Sequence, residues 1–382
     1  MGAERSNGES LPWVINGAAG AIGTTFMKEN GYLNETEGYD PEGVNIGLLN
    51  DLDITDTNGK ILHRAIDRIK EALTREGPID DNDLDVERGG NDYLIIDGKK
   101  IKVSSIKDPD ELAEFAKKEL GTHGMLNSTG RYLTGSGSRR FTQNGSEYVL
   151  VPSPTDPKHE DDPIGPVLIP GLTDFALGRR YNGETSVSND SCIAKNKSIA
   201  LYILAQTIGF SEASIGINHS ATRDDLNTLL SRYADGHFKH TDTDWMQVRP
   251  STHVDQGIGR ILGPELSAKV TTHMTRYPTS YGVLSDINII FDRETTPDEL
   301  REIFSTAAGN LVGPNEMVKV KPSLKSSREI AGDPTNCIVI ADSIRGRSLI
   351  TLRTAFDNLV APSRNAVRAA RVISDWDAAN RR

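Results

Sequence analysis

The first half of this 382-residue chain alternates short apolar runs with helical patterns. Short apolar runs bounded by turn residues are typical of buried strands, whereas apolar residues three or four apart are typical of helices. Strands are predicted at 13–16, 44–51, 93–106 (two strands joined at Asp97-Gly98) and 148–151, and helices at 61–75 and 109–120. Alternating strands and helices predict an α/β domain.

The second half has a different pattern, with longer strand-like stretches and fewer helices. An apolar helical run covers 198–208, and a strand at 213–218 ends at His219. Strand-like or mixed segments follow at 245–262, 268–275, 282–291, 316–321 and 337–342, with helices at 296–308 and 364–376. This pattern predicts an α+β domain after the α/β domain, and a last helix that returns to the first domain.

A glycine-rich turn follows the first predicted strand, with glycine at 17, 20 and 23. Glycines let a backbone approach a pyrophosphate closely at a helix N-terminus, but the usual dinucleotide spacing is GxGxxG. An ordinary strand-to-helix turn explains GxxGxxG equally well. Asp51 ends the next predicted strand, where a carboxylate can bind the adenosine ribose and repel a 2′-phosphate. This favours NAD over NADP, unless Asp51 is only a solvent-facing strand end. We interpret the polar stretch 29–42 as an inserted loop.

Composition narrows the class of protein. Its length suggests two domains, and its 36% hydrophobic and 25% charged residues are ordinary for a soluble globular protein. The net charge of −11, with no dense basic stripe, argues against a nucleic-acid or membrane partner. Two cysteines give no disulfide framework, and we expect no signal peptide because the polar N-terminus contains no apolar run of the required length. We therefore expect a cytoplasmic protein.

Cys192 is the candidate nucleophile. It lies in the polar segment 188–196 just before the apolar helical run, and a helix N-terminus favours the thiolate. Cys337 lies within the apolar sequence CIVIA and is interpreted as a packing residue. His237 and His240 occupy an acid-rich stretch that fits an exposed loop better than a metal site, so no metal is expected.

Several motifs, in order along most of the chain, resemble the glyceraldehyde-3-phosphate dehydrogenase family. SNDSCIAKN at 188–196 is similar to that family's SNASCTTN, and His219 follows Cys192 by the interval typical of the family. Further similar segments are VING at 14–17, ND at 50–51, STG at 128–130, GINHSATRDD at 216–225, RPST at 249–252, GIGRILGPEL at 257–266, RYPT at 276–279 and FDN at 356–358. The resemblance implies an NAD-binding domain at 1–190, completed by 357–382, and a catalytic domain at 191–356.

The resemblance also implies roles for individual residues. Cys192 would attack an aldehyde and form a thioester, with His219 as its base, and inorganic phosphate would release the product. The implied cofactor-binding residues are Asn16, Gly17, Gly20, Ala21, Ile22, Asp51, Ser128, Thr129, Ser153 and Asn358. Thr222 and Arg276 would bind the substrate's phosphate, and Ser191 and Thr252 the inorganic phosphate. The implied assembly is a homotetramer.

The sequence also departs from the family. Ile193 replaces a threonine expected at the inorganic-phosphate site, and Ala18-Ala19 resembles the glycine loop of semialdehyde dehydrogenases. The alternatives are therefore a semialdehyde or erythrose-4-phosphate dehydrogenase, and a catalytically silent homologue that acts as a binding protein. Thr222 and Thr252 also fit ordinary loop or capping hydroxyls. Glyceraldehyde 3-phosphate is the expected substrate.

Overall fold

The computed structural model describes residues 10–32, 43–75, 84–89, 91–96, 98–173, 182–220, 247–249, 252–277, 282–310, 317–340 and 349–380. The chain forms two compact units. Unit 1 comprises Met1–Pro170, Arg180–Asp190 and Pro362–Arg382, and unit 2 comprises Gly171–Arg179 and Ser191–Ala361. The last segment of the chain therefore belongs to the unit that contains the first segment.

Unit 1 is built on an eight-stranded sheet. Its strands, with the separate hairpin β3–β4, are β1 (Pro12–Asn16), β2 (Asn45–Asn50), β3 (Ile54–Thr55), β4 (Ile61–His63), β5 (Leu84–Glu87), β6 (Asp92–Ile96), β7 (Lys99–Ser104), β8 (Gly124–Asn127), β9 (Tyr148–Val151) and β10 (Ser186–Ser188). The order is β10-β9-β8-β1-β2-β7-β6-β5, parallel from β10 to β7, with β6 and β5 antiparallel. The chain leaves β1 toward β2 on one side, and β8 continues the sheet on the other, so the order reverses beside β1.

Unit 2 contains a seven-stranded mixed sheet. Its strands are β11 (Phe210–Ser220), β12 (Gln247–Arg249), β13 (Val270–Tyr277), β14 (Val283–Phe291), β15 (Val318–Lys321), β16 (Asn336–Ile340) and β17 (Leu349–Phe356), in the order β12-β13-β11-β14-β17-β16-β15. Strands β11 and β13 are parallel, and β11 pairs antiparallel with β14. Two different sheets confirm the expected fold class, an α/β domain followed by an α+β domain.

The α-helices of the described residues are α1 (Ala21–Met27), α2 (Ala65–Arg75), α3 (Pro109–Leu120), α4 (Gly135–Gln143), α5 (Cys192–Thr207), α6 (Thr252–Leu262), α7 (Pro264–Ser267), α8 (Pro297–Asn310) and α9 (Val360–Asn380). Helix α3 shows how local sequence sets such limits. The Asp108 carboxylate accepts hydrogen bonds from the N–H groups of Asp110 and Glu111, Pro109 begins the helix, and Gly121 ends it at φ +73°. None of the described helices has the length and apolar content needed to cross a membrane.

Two sequence-based expectations need correction. The helix predicted from residue 61 begins only at Ala65, because the Asp53 carboxylate accepts the Ala65 N–H at 2.6 Å, while the apolar residues before it form the exposed strand β4. The stretch from Glu29 is not simply a polar inserted loop, since Lys28–Tyr32 form a π-helical turn that continues α1. Glu29 is buried and pairs with Arg364 of α9 at 2.6 Å.

This buried ion pair gives a prediction about stability. Glu29→Leu should lower the free energy of unfolding of unit 1 by about 3–5 kcal/mol, because it leaves the Arg364 guanidinium buried without its carboxylate. The double substitution Glu29→Leu/Arg364→Met should recover most of that loss, since neither charge then remains in the interior. Urea unfolding followed by tryptophan fluorescence measures both effects.

The control is Arg371→Ala, which removes the exposed pair of Arg371 with Asp375 and should change stability by less than about 1 kcal/mol. A single substitution at Glu29 that costs no more than this control contradicts the prediction.

Candidate active site

Cys192 and His219 come together within unit 2. Cys192 is the first residue of α5, and the Ser191 hydroxyl caps that helix by accepting the Ala194 N–H at 3.0 Å. His219 is the second-last residue of β11 and is buried. Its Nε2 lies 3.8 Å from the Cys192 Sγ. A thiol and an imidazole at this separation can act as the nucleophile and the base of covalent catalysis.

The pKa of Cys192 differs from the sequence-based expectation. Burial raises the pKa of this thiol, and the positive charges of Lys195 and Arg276 oppose that effect without cancelling it. The helix N-terminus therefore does not produce a preformed thiolate. Cys192 is a thiol at neutral pH, and its proton must pass to His219 as the sulfur attacks.

Arg276 lies beside His219 because β11 and β13 pair these two positions directly. Its Nη1 is 2.6 Å from the His219 Nδ1 and donates to the Ser220 carbonyl at 3.0 Å. The His219 Nδ1 is also 2.6 Å from that carbonyl. A guanidinium only donates and a carbonyl only accepts. Nδ1 therefore accepts from Arg276 when it carries no proton and donates to the Ser220 carbonyl when it carries one. With a proton on Nδ1, directed at Ser220, Nε2 carries the lone pair that can accept the Cys192 proton.

Asn358 is held in one orientation by two donors. Its Oδ1 accepts the Gly282 N–H at 2.9 Å and the Ser220 hydroxyl at 3.2 Å. Because the carbonyl oxygen is engaged, the side-chain NH₂ is the part that remains to donate. This orientation suits recognition of a carbonyl oxygen, such as that of a carboxamide.

The structure describes the side chains of only some of the other phosphate-binding candidates. The Ser191 hydroxyl caps α5 by accepting a backbone N–H. Thr252 is the first residue of α6, but its side chain lies outside the described residues. Thr222 also lies outside them, as do His237 and His240. In the described parts of the chain, no three His, Cys, Asp or Glu side chains form a group that could hold a metal ion.

The glycine turn of unit 1 follows β1 at the point where the strand order reverses. Gly17 has φ +87°, and a side chain there would press against Ser128 and Thr129 after β8. The Gly17 and Ala18 N–H groups bond to the Asn50 carbonyl at 2.9 and 3.1 Å. Ligands of open α/β sheets bind at such a reversal, beyond the carboxyl ends of the strands.

An asparagine network joins the carboxyl ends of three neighbouring strands. The Asn50 Nδ2 donates to the Asn16 Oδ1 at 2.9 Å, and the Asn16 Nδ2 donates to the Asn127 Oδ1 at 3.4 Å. The Ser128 hydroxyl donates to the Asn16 carbonyl at 2.8 Å, and the Thr129 hydroxyl to the Asn127 Oδ1, also at 2.8 Å. These bonds fix the backbone that surrounds the glycine turn.

The remaining nucleotide-binding candidates lie around the start of α1 and after β9. Gly20 precedes α1 without a side-chain cap, and Ala21 and Ile22 begin that helix. Ser153 follows β9, and its carbonyl accepts the Ser188 hydroxyl at 2.7 Å.

Asp51 is already hydrogen-bonded within the protein. Its Oδ2 accepts the Ala19 N–H of the glycine turn at 2.7 Å, and its Oδ1 accepts the Leu52 N–H at 2.8 Å. The Arg68 Nη1 on α2 lies 2.6 Å from the same Oδ1. Asp51 is therefore a support of the glycine turn and one half of an ion pair.

Sequence reasoning missed three residues that matter here. Asn127 and Arg68 are polar residues in an ordinary strand pattern and an ordinary helix pattern, and nothing in the sequence shows which residues they contact. Lys197 did carry a signal, because it interrupts an apolar helix. It is fully buried, and its Nζ donates to the Thr354 Oγ1.

Comparison with known proteins agrees with the geometry of unit 2. Residues 191–356 match the family model "Glyceraldehyde 3-phosphate dehydrogenase, C-terminal domain". The chain is 28% identical to a glyceraldehyde-3-phosphate dehydrogenase of Eremothecium gossypii, over 60% of this chain and 64% of that protein. It is 28% identical to glyceraldehyde-3-phosphate dehydrogenase 1 of Kluyveromyces lactis, over 61% of this chain and 67% of that protein. With the glyceraldehyde-3-phosphate dehydrogenase of Atlantibacter hermannii it shares 25% identity, over 60% of this chain and 71% of that protein.

The matched part of the chain thus spans a little under two-thirds of the first relative. The match to the C-terminal domain begins one residue before Cys192 and includes both His219 and Arg276. Residues 191–356 therefore form a C-terminal domain of the glyceraldehyde-3-phosphate dehydrogenase type, in a chain that is 25–28% identical to these relatives.

Proposed function

We propose that this protein oxidises a phosphorylated aldehyde, with glyceraldehyde 3-phosphate as the first choice, to an acyl phosphate with NAD through a thioester on Cys192. The observation that carries this proposal is the Cys192 Sγ at 3.8 Å from the His219 Nε2, at the start of α5. Names of relatives support the substrate class, and the geometry supports covalent catalysis.

The steps follow from the chemistry of these groups. The sulfur of Cys192 bonds to the aldehyde carbon while the thiol proton passes to the His219 Nε2. The backbone N–H of Cys192 stabilises the resulting oxyanion, together with the protonated His219. Bound NAD would supply the hydride acceptor, so that loss of hydride from that carbon would turn the oxyanion into the thioester carbonyl. Inorganic phosphate then attacks the thioester, and the Cys192 thiolate leaves.

The glycine turn fits a dinucleotide. A Cβ at Gly17 would fill the space beside Ser128, so only glycine leaves this turn open at its positive φ. We propose that Asn16, Gly17, Gly20, Ala21, Ile22, Asp51, Ser128, Thr129 and Ser153 surround the nucleotide. The Asn358 NH₂ would donate to the carboxamide of the nicotinamide.

A spectrophotometric assay tests the function. NADH formation should be measured with glyceraldehyde 3-phosphate, erythrose 4-phosphate, aspartate semialdehyde and unphosphorylated glyceraldehyde, each with and without inorganic phosphate. Phosphate-dependent NADH formation with a phosphorylated aldehyde supports the proposal. Turnover of the semialdehyde alone contradicts the proposed substrate. If none of the four aldehydes is turned over, the proposed dehydrogenase activity is contradicted.

Arg276→Lys gives a sharper prediction about substrate recognition. Lysine keeps the charge but loses the planar pair of donors, so kcat/KM for the phosphorylated aldehyde should fall about tenfold to a hundredfold more than that for unphosphorylated glyceraldehyde. Steady-state kinetics on both aldehydes measures the ratio. An equal loss on both substrates shows that Arg276 acts through His219 and not on the substrate's phosphate.

The family resemblance also supports a cytoplasmic homotetramer, with Thr222 as a second ligand of the substrate's phosphate and with Ser191 and Thr252 at the inorganic phosphate. Sedimentation equilibrium tests the assembly, and a mass equal to one chain contradicts it.

A further inference from the structure

The Arg68 guanidinium lies beside Asp51, which follows β2. An acid at this position is the one that dinucleotide-binding sites use to select their cofactor. The Arg68 Nη1 lies 2.6 Å from the Asp51 Oδ1 and 2.5 Å from the Leu52 carbonyl oxygen. Arg68 lies on the first turn of α2. Its position is fixed because Asp53 holds the Ala65 N–H at the start of that helix.

This arrangement alters the electrostatics of Asp51. An acid at this position excludes a 2′-phosphate because its negative charge repels that group and its oxygens accept from the 2′-hydroxyl. Here both oxygens already accept backbone N–H groups, and the Arg68 guanidinium compensates the charge. An ion pair has no net charge with which to repel a phosphate.

Arg68 also has donors to spare. Its two protein acceptors both bond to Nη1, and among the described residues the structure gives no acceptor to Nε or Nη2. The Arg68 side chain is 31% exposed, so part of it is open to solvent beside the carboxyl end of β2. A guanidinium held on one side by a carboxylate presents its other N–H groups in a fixed plane, which suits phosphate oxygens.

We propose that the dinucleotide site of this protein accepts the 2′-phosphorylated cofactor NADP about as well as NAD, with Arg68 as the ligand of the 2′-phosphate. This inference rests on the proposed function, because it requires that unit 1 binds a nicotinamide dinucleotide. It reverses the preference for NAD that Asp51 alone suggests, and Asp51 acts here to hold Arg68 in place.

Isothermal titration calorimetry on the whole chain tests the inference without any turnover. Four ligands are needed: NAD, NADP, 5′-AMP and adenosine 2′,5′-bisphosphate. The last two differ only by the 2′-phosphate. We expect Kd values for NAD and NADP within about tenfold of each other, and we expect the bisphosphate to bind more tightly than 5′-AMP.

Arg68→Gln should weaken binding of NADP and the bisphosphate about tenfold to a hundredfold, the range for a lost hydrogen bond to a charged group. NAD and 5′-AMP should change less than about threefold. Arg371→Gln, on α9 of the same unit, is the matched control and should change none of the four. If Arg68→Gln fails to fold, Arg68→Lys, which keeps the charge, replaces it. The four ligands measured on the unaltered chain also test whether the site accepts a 2′-phosphate.

The outcomes are distinct. NAD binding with NADP at least a hundredfold weaker overturns this inference and leaves the proposed function intact. Equal weakening of NAD and NADP by Arg68→Gln also overturns it, because Arg68 is then only a support of the turn. Binding of none of the four ligands overturns the proposed function together with the inference.

Discussion

Replacing Cys192 by alanine should lower kcat by about 10⁴- to 10⁶-fold, because the covalent step then has no nucleophile. Binding of the dinucleotide, measured by calorimetry, should stay within about threefold, since the substitution leaves the glycine turn of unit 1 unaltered. Cys337→Ala is the matched control. Cys337 is fully buried on β16 among Ile330 and Ala355, so its loss should cost some stability and little activity.

The raised pKa of the Cys192 thiol adds a pH dependence to this prediction. The thiolate is the reactive form toward iodoacetamide, and burial makes that form scarce at neutral pH. Alkylation of Cys192 in the free protein should therefore be slow at pH 7 and accelerate as the pH rises past 9. Mass spectrometry after partial reaction should find Cys192 labelled before Cys337, which is more deeply buried. An alkylation rate at pH 7 that already equals the rate at pH 9 would show a preformed thiolate and contradict the raised pKa of Cys192.

Replacing Lys197 by methionine should stabilise unit 2 by about 3 kcal/mol at pH 6–7. Lys197 is fully buried on α5, and burial lowers the pKa of its amine from 10.5 to about 7, against the opposing influence of Cys192 and Asp286. A shift of that size corresponds to a penalty of about 4–5 kcal/mol for holding the charge in the interior. Loss of the hydrogen bond to Thr354 offsets about 1–2 kcal/mol of the gain.

The pH dependence of this effect has a definite sign. Between pH 7 and 10.5 the unfolded chain holds the Lys197 proton and the folded chain has released it, so stability rises with pH in that window. Below pH 7 both states hold the proton, and the full penalty remains. The advantage of Lys197→Met should therefore shrink from pH 7 upward and disappear near pH 10.5.

Urea unfolding followed by far-UV circular dichroism from pH 6 to 10.5 measures this difference. Lys325→Met, an exposed lysine in the same unit, is the control and should change stability by less than about 0.5 kcal/mol at every pH. If Lys197→Met destabilises the protein at pH 6, the buried amine is better solvated than its surroundings indicate.

Local signals explain why much of the fold and the nucleophile pair were predictable. The strands around Asp97-Gly98 and helix α3 depend on neighbouring residues, and the structure places them where turn and capping residues suggest. The pairing of Cys192 with His219 came from a recognisable motif, and the structure brings the two side chains together.

What could not be predicted depends on distant contacts. Arg68 is one polar position in a helical pattern, and only the packed fold shows that it reaches Asp51. The thiol pKa of Cys192 is set by burial, which no local motif encodes. Ile61 and Leu62 fit a helical pattern, but the helix starts only at Ala65, where the Asp53 carboxylate accepts the backbone N–H.

The last helix has a consequence for how the protein is made. Trp13 donates to the Ser374 hydroxyl across 361 residues of sequence, and Tyr148 donates to Asp377 across 229. The core of unit 1 includes α9 side chains from Ala366 to Ile373 beside Trp13. When residues 1–190 have left the ribosome, α9 has not yet been synthesised. One apolar face of the unit 1 sheet is therefore still uncovered. Unit 2 can complete its own sheet before that face is closed, so unit 1 is the first to begin folding and the last to finish.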